Sequence, residues 1–145
     1  MKPVTIIGAG TMGSGIAHVC ALAGFDVRLA DVAEDVTLRS LASIEANLNW
    51  QLAKGRIAEA ERDGALSRIS AGTDLVGLLS GSAVVIEAAP ERRALKADVW
   101  QTVSAAAEDG ALLASKRRPF RSRGLPLSRA GPIGSSGSIF STRFR

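Results

Sequence analysis

Three glycines near the start of the chain have the spacing of a phosphate-binding turn. The segment Gly8-Ala9-Gly10-Thr11-Met12-Gly13 follows a short apolar run, residues 4–7, and precedes residues at helical spacing. In a G-x-G-x-x-G turn the first glycine permits the tight bend, the second leaves room for a pyrophosphate, and the third lets helix and strand approach closely. The phosphates then lie at a helix N-terminus, where free N–H groups and the helix dipole favour negative charge. The spacing therefore predicts a dinucleotide-binding site formed by residues 8–13.

Asp31 supplies the acidic group that such a site needs for a ribose. It ends a second short apolar run, residues 27–30, and lies 18 residues after Gly13, close to the usual interval of about 20. A carboxylate here accepts hydrogen bonds from a ribose 2′-hydroxyl and repels a 2′-phosphate, so the predicted cofactor is NAD rather than NADP. The alternative is a glycine-rich turn beside a strand-end aspartate that holds no ligand.

The elements around these residues alternate between strands and helices. Strands are predicted at residues 4–7, 27–30, 68–70, 83–88 and 111–114, and helices at about 12–23, 34–54, 58–66, 75–79 and 90–108. Strands that alternate with helices form a parallel sheet with helices on both faces. The predicted fold class is α/β, a Rossmann-type, doubly wound parallel sheet of about five strands.

The first helix carries the only histidine of the chain. Met12, Ile16, Val19 and Ala23 fall at helical spacing and are predicted to form the buried stripe of this helix. His18 lies off that stripe and near no motif, so we expect a structural or exposed residue rather than a general base.

Bulk composition indicates a globular protein of a reducing compartment. Of the 145 residues, 46% are hydrophobic and 22% charged, as is usual for globular domains. No apolar run reaches the roughly 18 residues of a membrane span, and Lys2 leads into the first strand without a secretory leader. The single cysteine, Cys20, is predicted to be a small helix-packing residue. We expect a cytoplasmic location, no metal and no membrane partner.

Charge divides the chain into two parts. Residues 1–115 hold 10 basic and 14 acidic residues, whereas residues 116–145 hold 8 basic and no acidic ones. The second part also contains six serines, four glycines and three prolines, without strand or helix periodicity. We therefore assign residues 1–115 to one NAD-binding domain and residues 116–145 to a basic tail, which composition alone predicts to be disordered.

Two motifs in the first part carry a family resemblance. Residues 7–17, IGAGTMGSGIA, and residues 85–91, VIEAAPE, resemble the N-terminal part of 3-hydroxyacyl-CoA dehydrogenases, including 3-hydroxybutyryl-CoA dehydrogenases. The resemblance covers residues 1–115. It implies NAD as the cofactor, a 3-hydroxyacyl-CoA oxidised at C3 as the substrate, a role in fatty-acid or hydroxybutyrate metabolism, and a homodimer in the intact family.

The same resemblance implies roles for individual residues. Asp31 would hold the adenosine ribose, Glu91 and Lys96 would border the nicotinamide half of the cofactor, and Lys54 would contact a phosphate of coenzyme A. Asn47 stands where some members have a serine that contacts coenzyme A, which leaves that contact open. The structural alternatives are a solvated helix end for Lys54, a helix-start acid for Glu91 and an ordinary surface lysine for Lys96.

The family pattern breaks after Ser115. Members continue with A-S-N-T-S-S and later H-F-F-N-P-V-P, whose serine and histidine contact substrate; the histidine is the general base, a glutamate orients it, and a helical domain follows. Where members have A-S-N-T-S-S, this chain has Ala114-Ser115-Lys116-Arg117-Arg118-Pro119, and it ends at residue 145. No residue of the chain is therefore predicted to be catalytic. We expect the C-terminal helical domain to be lacking and the fifth strand to be an uncovered edge.

A shifted reading frame accounts for the tail. In the neighbouring frame, each new codon consists of the third base of one residue's codon and the first two bases of the next residue's codon. Read in this way, the codons that can encode residues 139–145 can also encode H-F-F-N-P-V-P, position for position. Residues 117–120 permit T-S-S-I, and residues 132–137 permit D-R-F-I-G. Our hypothesis is that one nucleotide is missing near the codon of Lys116. The tail is then an out-of-frame translation, and the chain an inactive or poorly folded fragment.

Three functions remain open at this stage. The first is an NAD-dependent oxidoreductase of the 3-hydroxyacyl-CoA dehydrogenase type, present as its cofactor-binding part. The second is another β-hydroxyacid dehydrogenase, but many of those use NADP and have a small residue followed by arginine where Asp31-Val32 stands. The third is a dinucleotide-binding module whose basic tail binds nucleic acid. The tail lacks repeated spacing and has few aromatic residues, which argues against nucleic acid as a partner.

Overall fold

The computed structural model of the chain describes residues 3–89, 101–105 and 111–115. Within these residues the strands are Val4–Ile7 (β1), Val27–Ala30 (β2), Ile69–Gly72 (β3), Val84–Glu87 (β4) and Leu112–Ser115 (β5). The helices are Thr11–Leu22 (α1), Glu34–Ala53 (α2), Glu59–Ser67 (α3) and Leu75–Leu79 (α4), and residues 101–105 are helical as well. The predicted elements agree with these bounds to within two residues wherever the structure describes them.

The sheet is parallel throughout, with the strand order β3-β2-β1-β4-β5. β1 lies at its centre, where Val4 pairs with Val27 of β2 on one side and with Val84 of β4 on the other. The chain therefore adds β2 and β3 on one side of β1 and then crosses over to add β4 and β5 on the other side. This order confirms the predicted Rossmann-type fold. It also places a crevice outside the carboxyl ends of β1 and β4, which is where ligands bind in open α/β sheets.

Apolar side chains form a core on each face of the sheet. Successive strand residues point to opposite faces, so Ile6 belongs to one core and Ile7 to the other. The first core joins the sheet to α1, α2 and α3, and its largest fully buried residues are Ile6, Val27, Leu29, Ile44 and Leu48. The second core consists of Ile7, Leu79, Val85, Val103 and Leu113. The two cores hold α1 and α4 on opposite sides of β1.

The buried face of α1 differs from the predicted stripe. Met12 is 41% exposed, Val19 is 65% exposed, and Ala23 lies beyond the helix on the surface. The buried residues are instead Gly13, Ala17, His18 and Ala21. Gly13, Ala17 and Ala21 are small and let the helix approach β1 closely. The prediction was therefore wrong for Met12, Val19 and Ala23, whereas Ile16 is partly buried against the first core, as predicted.

Two further predictions from the sequence concern the helix at residues 90–108 and the lack of a membrane span. Most of the helix predicted at residues 90–108 lies outside the described residues, and its part at 101–105 is helical. α2 is the longest helix described, with 20 residues. In the described part of the chain, no helix combines the length and apolar character needed to cross a lipid bilayer.

Candidate dinucleotide-binding site

The turn that leaves β1 depends on a glycine at position 8. Gly8 has a φ of +102°, a backbone conformation that residues with a side chain rarely adopt. Its N–H donates a 2.7 Å hydrogen bond to the carbonyl oxygen of Ala30 on β2. A Cβ at this position would lie 2.7 Å from the main-chain nitrogen of Ala89, just after β4. Gly8 therefore lets the turn fit between the ends of β2 and β4.

The third glycine of the motif sets the distance between α1 and the turn. A Cβ on Gly13 would lie 1.7 Å from the carbonyl oxygen of Gly8, so no other residue fits without moving the helix. Gly10, in contrast, has no neighbouring atom within 4 Å of such a Cβ. The space outside Gly10 is open and lies at the N-terminus of α1, as a pyrophosphate would require.

Neither the N-cap nor the first turn of α1 supplies a side chain that neutralises the N-terminus of this helix. The N-cap residue, Gly10, has no side chain to cap the helix, and the first turn contains no acidic residue. Thr11 and Met12 are exposed in this turn, whereas Ala9 is buried. Free N–H groups and the positive end of the helix dipole thus face the open space.

Asp31 lies against the glycine turn. Its Oδ2 accepts a 2.8 Å hydrogen bond from the N–H of Ala9, and its Oδ1 accepts a 3.3 Å hydrogen bond from the N–H of Ala33. The carboxylate is half-buried, and Val32 beside it is 77% exposed. The fold thus brings the predicted ribose acid to the turn predicted to hold the phosphates.

A pair of serines connects the turn to α2, which sequence analysis missed. The hydroxyl of Ser14 donates to the carbonyl oxygen of Gly10 at 2.8 Å and lies 2.6 Å from the hydroxyl oxygen of Ser40. Ser40 is 3% exposed. Ser14 was inside the quoted motif, but nothing in the sequence indicated which residue of α2 would meet it.

A buried carboxylate lies at the carboxyl end of β4. Glu87 is 3% exposed, and its Oε2 accepts a 2.7 Å hydrogen bond from the hydroxyl of Ser115 on β5. The two residues are direct partners in the register of the parallel pair. Glu87 lies within the family motif of residues 85–91, but the sequence predicted no contact for it. An acidic residue at the end of an apolar strand was the observation that could have drawn attention to Glu87.

The residues implied by the family resemblance are not all gathered at the turn. Lys54 is exposed and follows α2. It lies about 30 Å from Glu34 along the helix axis, at 1.5 Å per residue. Asn47 is also exposed on α2. Glu91 and Lys96 lie outside the described residues, so their predicted roles stay predictions.

His18 and Cys20 belong to the packing of α1. Nε2 of His18 lies 3.0 Å from Nε2 of Gln51 on α2, and the ring is 8% exposed. Burial lowers the pKa of His18 below its usual 6.5 and raises the pKa of the Cys20 thiol. Both residues lie on the side of α1 that contacts its neighbours, away from the open space at Gly10.

Other features of the described residues lie away from the turn. An open cavity of about 370 Å³ is lined by residues at the amino ends of β1, β2 and β3, among them Asp26, Arg28 and Arg68. It lies at the opposite edge of the sheet from Gly8. Within residues 3–89, 101–105 and 111–115, no group of three or more His, Cys, Asp or Glu side chains is arranged to hold a metal ion.

Most of this chain matches known proteins of one family. Residues 3–118 match the family described as 3-hydroxyacyl-CoA dehydrogenase, NAD binding domain. A 3-hydroxybutyryl-CoA dehydrogenase of Bradyrhizobium diazoefficiens is 43% identical over 115 residues, which are 79% of this chain and 39% of that protein. A mitochondrial hydroxyacyl-coenzyme A dehydrogenase of Sus scrofa is 35% identical over 121 residues, with 79% and 38% covered. The chain thus spans about two-fifths of the length of these curated relatives.

Solved structures give the same result. The crystal structure of (S)-3-hydroxybutyryl-CoA dehydrogenase from Ralstonia eutropha has a TM-score of 0.74 and 32% identity, and the likeness covers 79% of this chain and 40% of that one. The 3-hydroxybutyryl-CoA dehydrogenase from Escherichia coli K12 has a TM-score of 0.76 and 32% identity, over 80% of this chain and 24% of that one.

Proposed function

The chain belongs to the 3-hydroxyacyl-CoA dehydrogenase family through its NAD-binding domain, and from this premise we propose that it binds NAD for hydride transfer at C3 of a 3-hydroxyacyl-CoA. Residues 1–115 form the cofactor-binding part of that enzyme. The observation that carries the proposal is the hydrogen bond from the N–H of Ala9 to Asp31. This hydrogen bond holds the carboxylate of Asp31, the proposed ribose ligand, beside the N-terminus of α1, at the point where the strand order reverses.

Each part of the turn has a task in this proposal. The glycine turn and the N–H groups of Thr11 and Met12 bind the pyrophosphate, for which Gly10 leaves room. The carboxylate of Asp31 accepts hydrogen bonds from the adenosine ribose and repels a 2′-phosphate, so NAD is preferred over NADP. When bound, the nicotinamide ring supplies the hydride acceptor. The residues of this chain bind and orient the dinucleotide.

The family resemblance extends the proposal to the substrate side. Glu91 and Lys96 border the nicotinamide half, and Lys54 contacts a phosphate of coenzyme A. Relatives are named for 3-hydroxybutyryl-CoA and hydroxyacyl-coenzyme A, which supports an acyl-CoA substrate and a place in fatty-acid β-oxidation or hydroxybutyrate metabolism. The intact enzyme is proposed to be a cytoplasmic homodimer.

We also propose that residues 116–145 are an out-of-frame translation of the segment that carries the catalytic histidine. The codons of residues 117–120, 132–137 and 139–145 can each spell the family's sequence when shifted by one base. Each shifted codon leaves only its first base free, so agreement over so many positions is improbable by accident. Resequencing the gene around the codon of Lys116 tests this proposal. Codons that do not encode T-S-S-I and H-F-F-N-P-V-P in the neighbouring frame would contradict this proposal.

Titration calorimetry tests the cofactor assignment. The 145-residue chain is expected to bind NADH, and Asp31→Ala is expected to weaken that binding at least about tenfold, since a hydrogen bond to a charged group contributes about 1.5–3 kcal/mol. Asp26→Ala, which changes an exposed aspartate at the other end of β2, serves as the matched control. Equal NADH affinity of the wild-type chain and Asp31→Ala contradicts the assignment.

A rate assay tests the reaction. Acetoacetyl-CoA reduction with NADH is compared between the 145-residue chain and a version restored in frame at the Lys116 codon. We expect turnover from the restored version alone, because general-base catalysis contributes roughly 10²–10⁴ in rate and the only histidine of the unrestored chain is buried against α2. Comparable turnover by both versions contradicts the frame hypothesis, and no turnover by either contradicts the proposed reaction.

A further inference from the structure

One row of side chains ends the sheet on the face that packs against α4. Ile7 of β1, Glu87 of β4 and Ser115 of β5 are register partners in adjacent strands. The row lies directly below the glycine turn, because Gly8 follows Ile7 and the N–H of Ala88 donates a 2.8 Å hydrogen bond to the carbonyl oxygen of Ile7. The carboxylate of Glu87 is thus fixed between the phosphate-binding turn and the last strand described.

The burial of Glu87 needs an explanation other than packing. It is the only aspartate or glutamate among the buried residues of the described ranges. Removing a carboxylate from water is unfavourable unless hydrogen bonds compensate for the loss of hydration. Two residues earlier in the same strands, Val85 and Leu113 fill the same face with apolar side chains. The pair of Glu87 and Ser115, in the last row of side chains, therefore belongs to the carboxyl ends of β4 and β5 rather than to the apolar core.

The position of this pair relative to the cofactor follows from the strand order. Asp31 fixes the adenosine ribose at β2, and the turn after β1 holds the phosphates. An extended dinucleotide that crosses the point where the strand order reverses then lies with its other half over β4 and β5. Adjacent strands are about 4.8 Å apart, and three such spacings separate β2 from β5. Ser115 on β5 therefore lies roughly 14 Å across the sheet from β2, the strand that Asp31 follows.

We propose that Glu87, held by Ser115, is a positioning residue for the nicotinamide half of NAD. The hydrogen bond between Ser115 and Glu87 fixes the carboxyl ends of β4 and β5 to each other. Glu87 is buried and acts through these strand ends rather than by touching the cofactor. This inference rests on the proposed NAD binding and adds to it the residues that shape the second half of the site.

The test compares NADH with ADP-ribose, which lacks the nicotinamide ring. Both ligands are titrated into the full 145-residue chain and its variants Glu87→Ala, Glu87→Gln and Ser115→Ala. Glu87→Ala and Ser115→Ala are each expected to weaken NADH binding about tenfold, with ADP-ribose affinity unchanged within about twofold. Glu87→Gln keeps an acceptor for Ser115 and is expected to recover most of the NADH affinity. The double variant Glu87→Ala/Ser115→Ala is expected to bind NADH no more weakly than Glu87→Ala, because the two side chains act together.

Matched controls and an unfolding measurement separate positioning from stability. Glu45→Gln removes an exposed carboxylate on α2, and Ser67→Ala removes an exposed hydroxyl at the end of α3; neither is expected to change either affinity. If Ser115→Ala and Glu87→Ala leave NADH affinity unchanged, the inference is wrong. It is equally wrong if the variants weaken NADH and ADP-ribose alike in step with a lower melting temperature. Failure of the wild-type chain to bind both ligands overturns the proposed function itself, which distinguishes the two failures.

Discussion

The carboxylate of Asp31 accepts a 2.8 Å hydrogen bond from the N–H of Ala9, 22 residues earlier in the chain. A second hydrogen bond, from the N–H of Ala33, holds the other carboxylate oxygen. The side chain is therefore already oriented in the free protein, so less conformational freedom would be lost on binding of the proposed ribose. This orientation gives the charge of Asp31 a testable consequence for cofactor choice.

Asp31→Asn is expected to narrow the preference for NADH over NADPH. The amide oxygen can still accept from Ala9, so the turn keeps its geometry, but the charge that repels a 2′-phosphate is gone. We expect NADH affinity to fall about tenfold, from the loss of charge-assisted hydrogen bonds to the ribose, while NADPH affinity does not fall. Calorimetric titration of both cofactors measures this, with Asp26→Asn as the control. An unchanged ratio of the two affinities would contradict a ribose-binding role for Asp31.

Gly10→Ala is expected to weaken NADH binding without changing the stability of the fold. The backbone of Gly10 is extended, with a φ of −71°, and an added Cβ meets no atom within 4 Å. The free energy of unfolding should therefore stay the same. The Cβ enters the space assigned to the pyrophosphate, where crowding of about 1–3 kcal/mol weakens NADH roughly 5- to 150-fold. Denaturant unfolding and NADH titration on the same sample check both parts, and undiminished NADH affinity contradicts the placement of the phosphates.

Gly13→Ala and Gly15→Ala are expected to change stability in opposite directions. A Cβ at position 13 would lie 1.7 Å from the carbonyl oxygen of Gly8, whereas a Cβ at position 15 meets nothing within 4 Å. We expect Gly13→Ala to lower the free energy of unfolding by about 3 kcal/mol or more. Gly15→Ala is expected to raise it by about 0.5–1 kcal/mol, because alanine favours a helix interior over glycine.

Denaturant unfolding of both variants measures these changes. Because α1 contains both positions, each variant is the control for the other. Equal effects of the two substitutions would show that α1 does not approach the turn as closely as the geometry requires.

His18 is expected to make the stability of the fold depend on pH below neutrality. Burial lowers the pKa of His18 in the folded chain below its usual 6.5. The Nε2 atom faces Gln51, whose amide nitrogen can only donate, so the neutral ring is the form that fits. As the pH falls through 6.5, the unfolded chain takes up a proton that the folded chain resists, and the free energy of unfolding decreases. The decrease ends below the lowered pKa of the folded state.

Urea unfolding between pH 7.5 and pH 5 measures this contribution, with His18→Gln as the comparison. The variant cannot take up that proton, so its free energy of unfolding should fall less over the same range. Identical pH dependence in the wild-type chain and His18→Gln would exclude His18 as the cause.

The sequence predicted most of the architecture, because its determinants are local. Short apolar runs bounded by glycine and polar residues indicated β1, β2 and β4, and the G-x-G-x-x-G spacing located the turn. The motif also assigned a role to each glycine, and Gly8 and Gly13 have the tight turn and the close approach that those roles require.

The sequence failed where packing depends on the distance between elements. Hydrophobicity favoured Met12 and Val19 for the buried face of α1, but the close approach at Gly13 buries the small residues Ala17 and Ala21 instead. On α2, Leu38 is 60% exposed whereas Thr37 and Ser40 are buried. Thr37 and Ser40 satisfy their hydroxyls through Glu34 and Ser14. The first of these hydrogen bonds lies within one turn of α2 and the second joins α2 to α1, and neither leaves a hydrophobic period in the sequence.

The glycine turn, the N-terminus of α1 and Asp31, the proposed ribose ligand, all come from residues 4–31, whereas Ser115 is synthesised 84 residues after Asp31. Contacts over short sequence separations generally form faster than distant ones, and synthesis proceeds from the N-terminus. The residues proposed to bind the adenine nucleotide are therefore all synthesised before any residue of β4 or β5. Under the proposed change of reading frame after Ser115, these residues keep their identity.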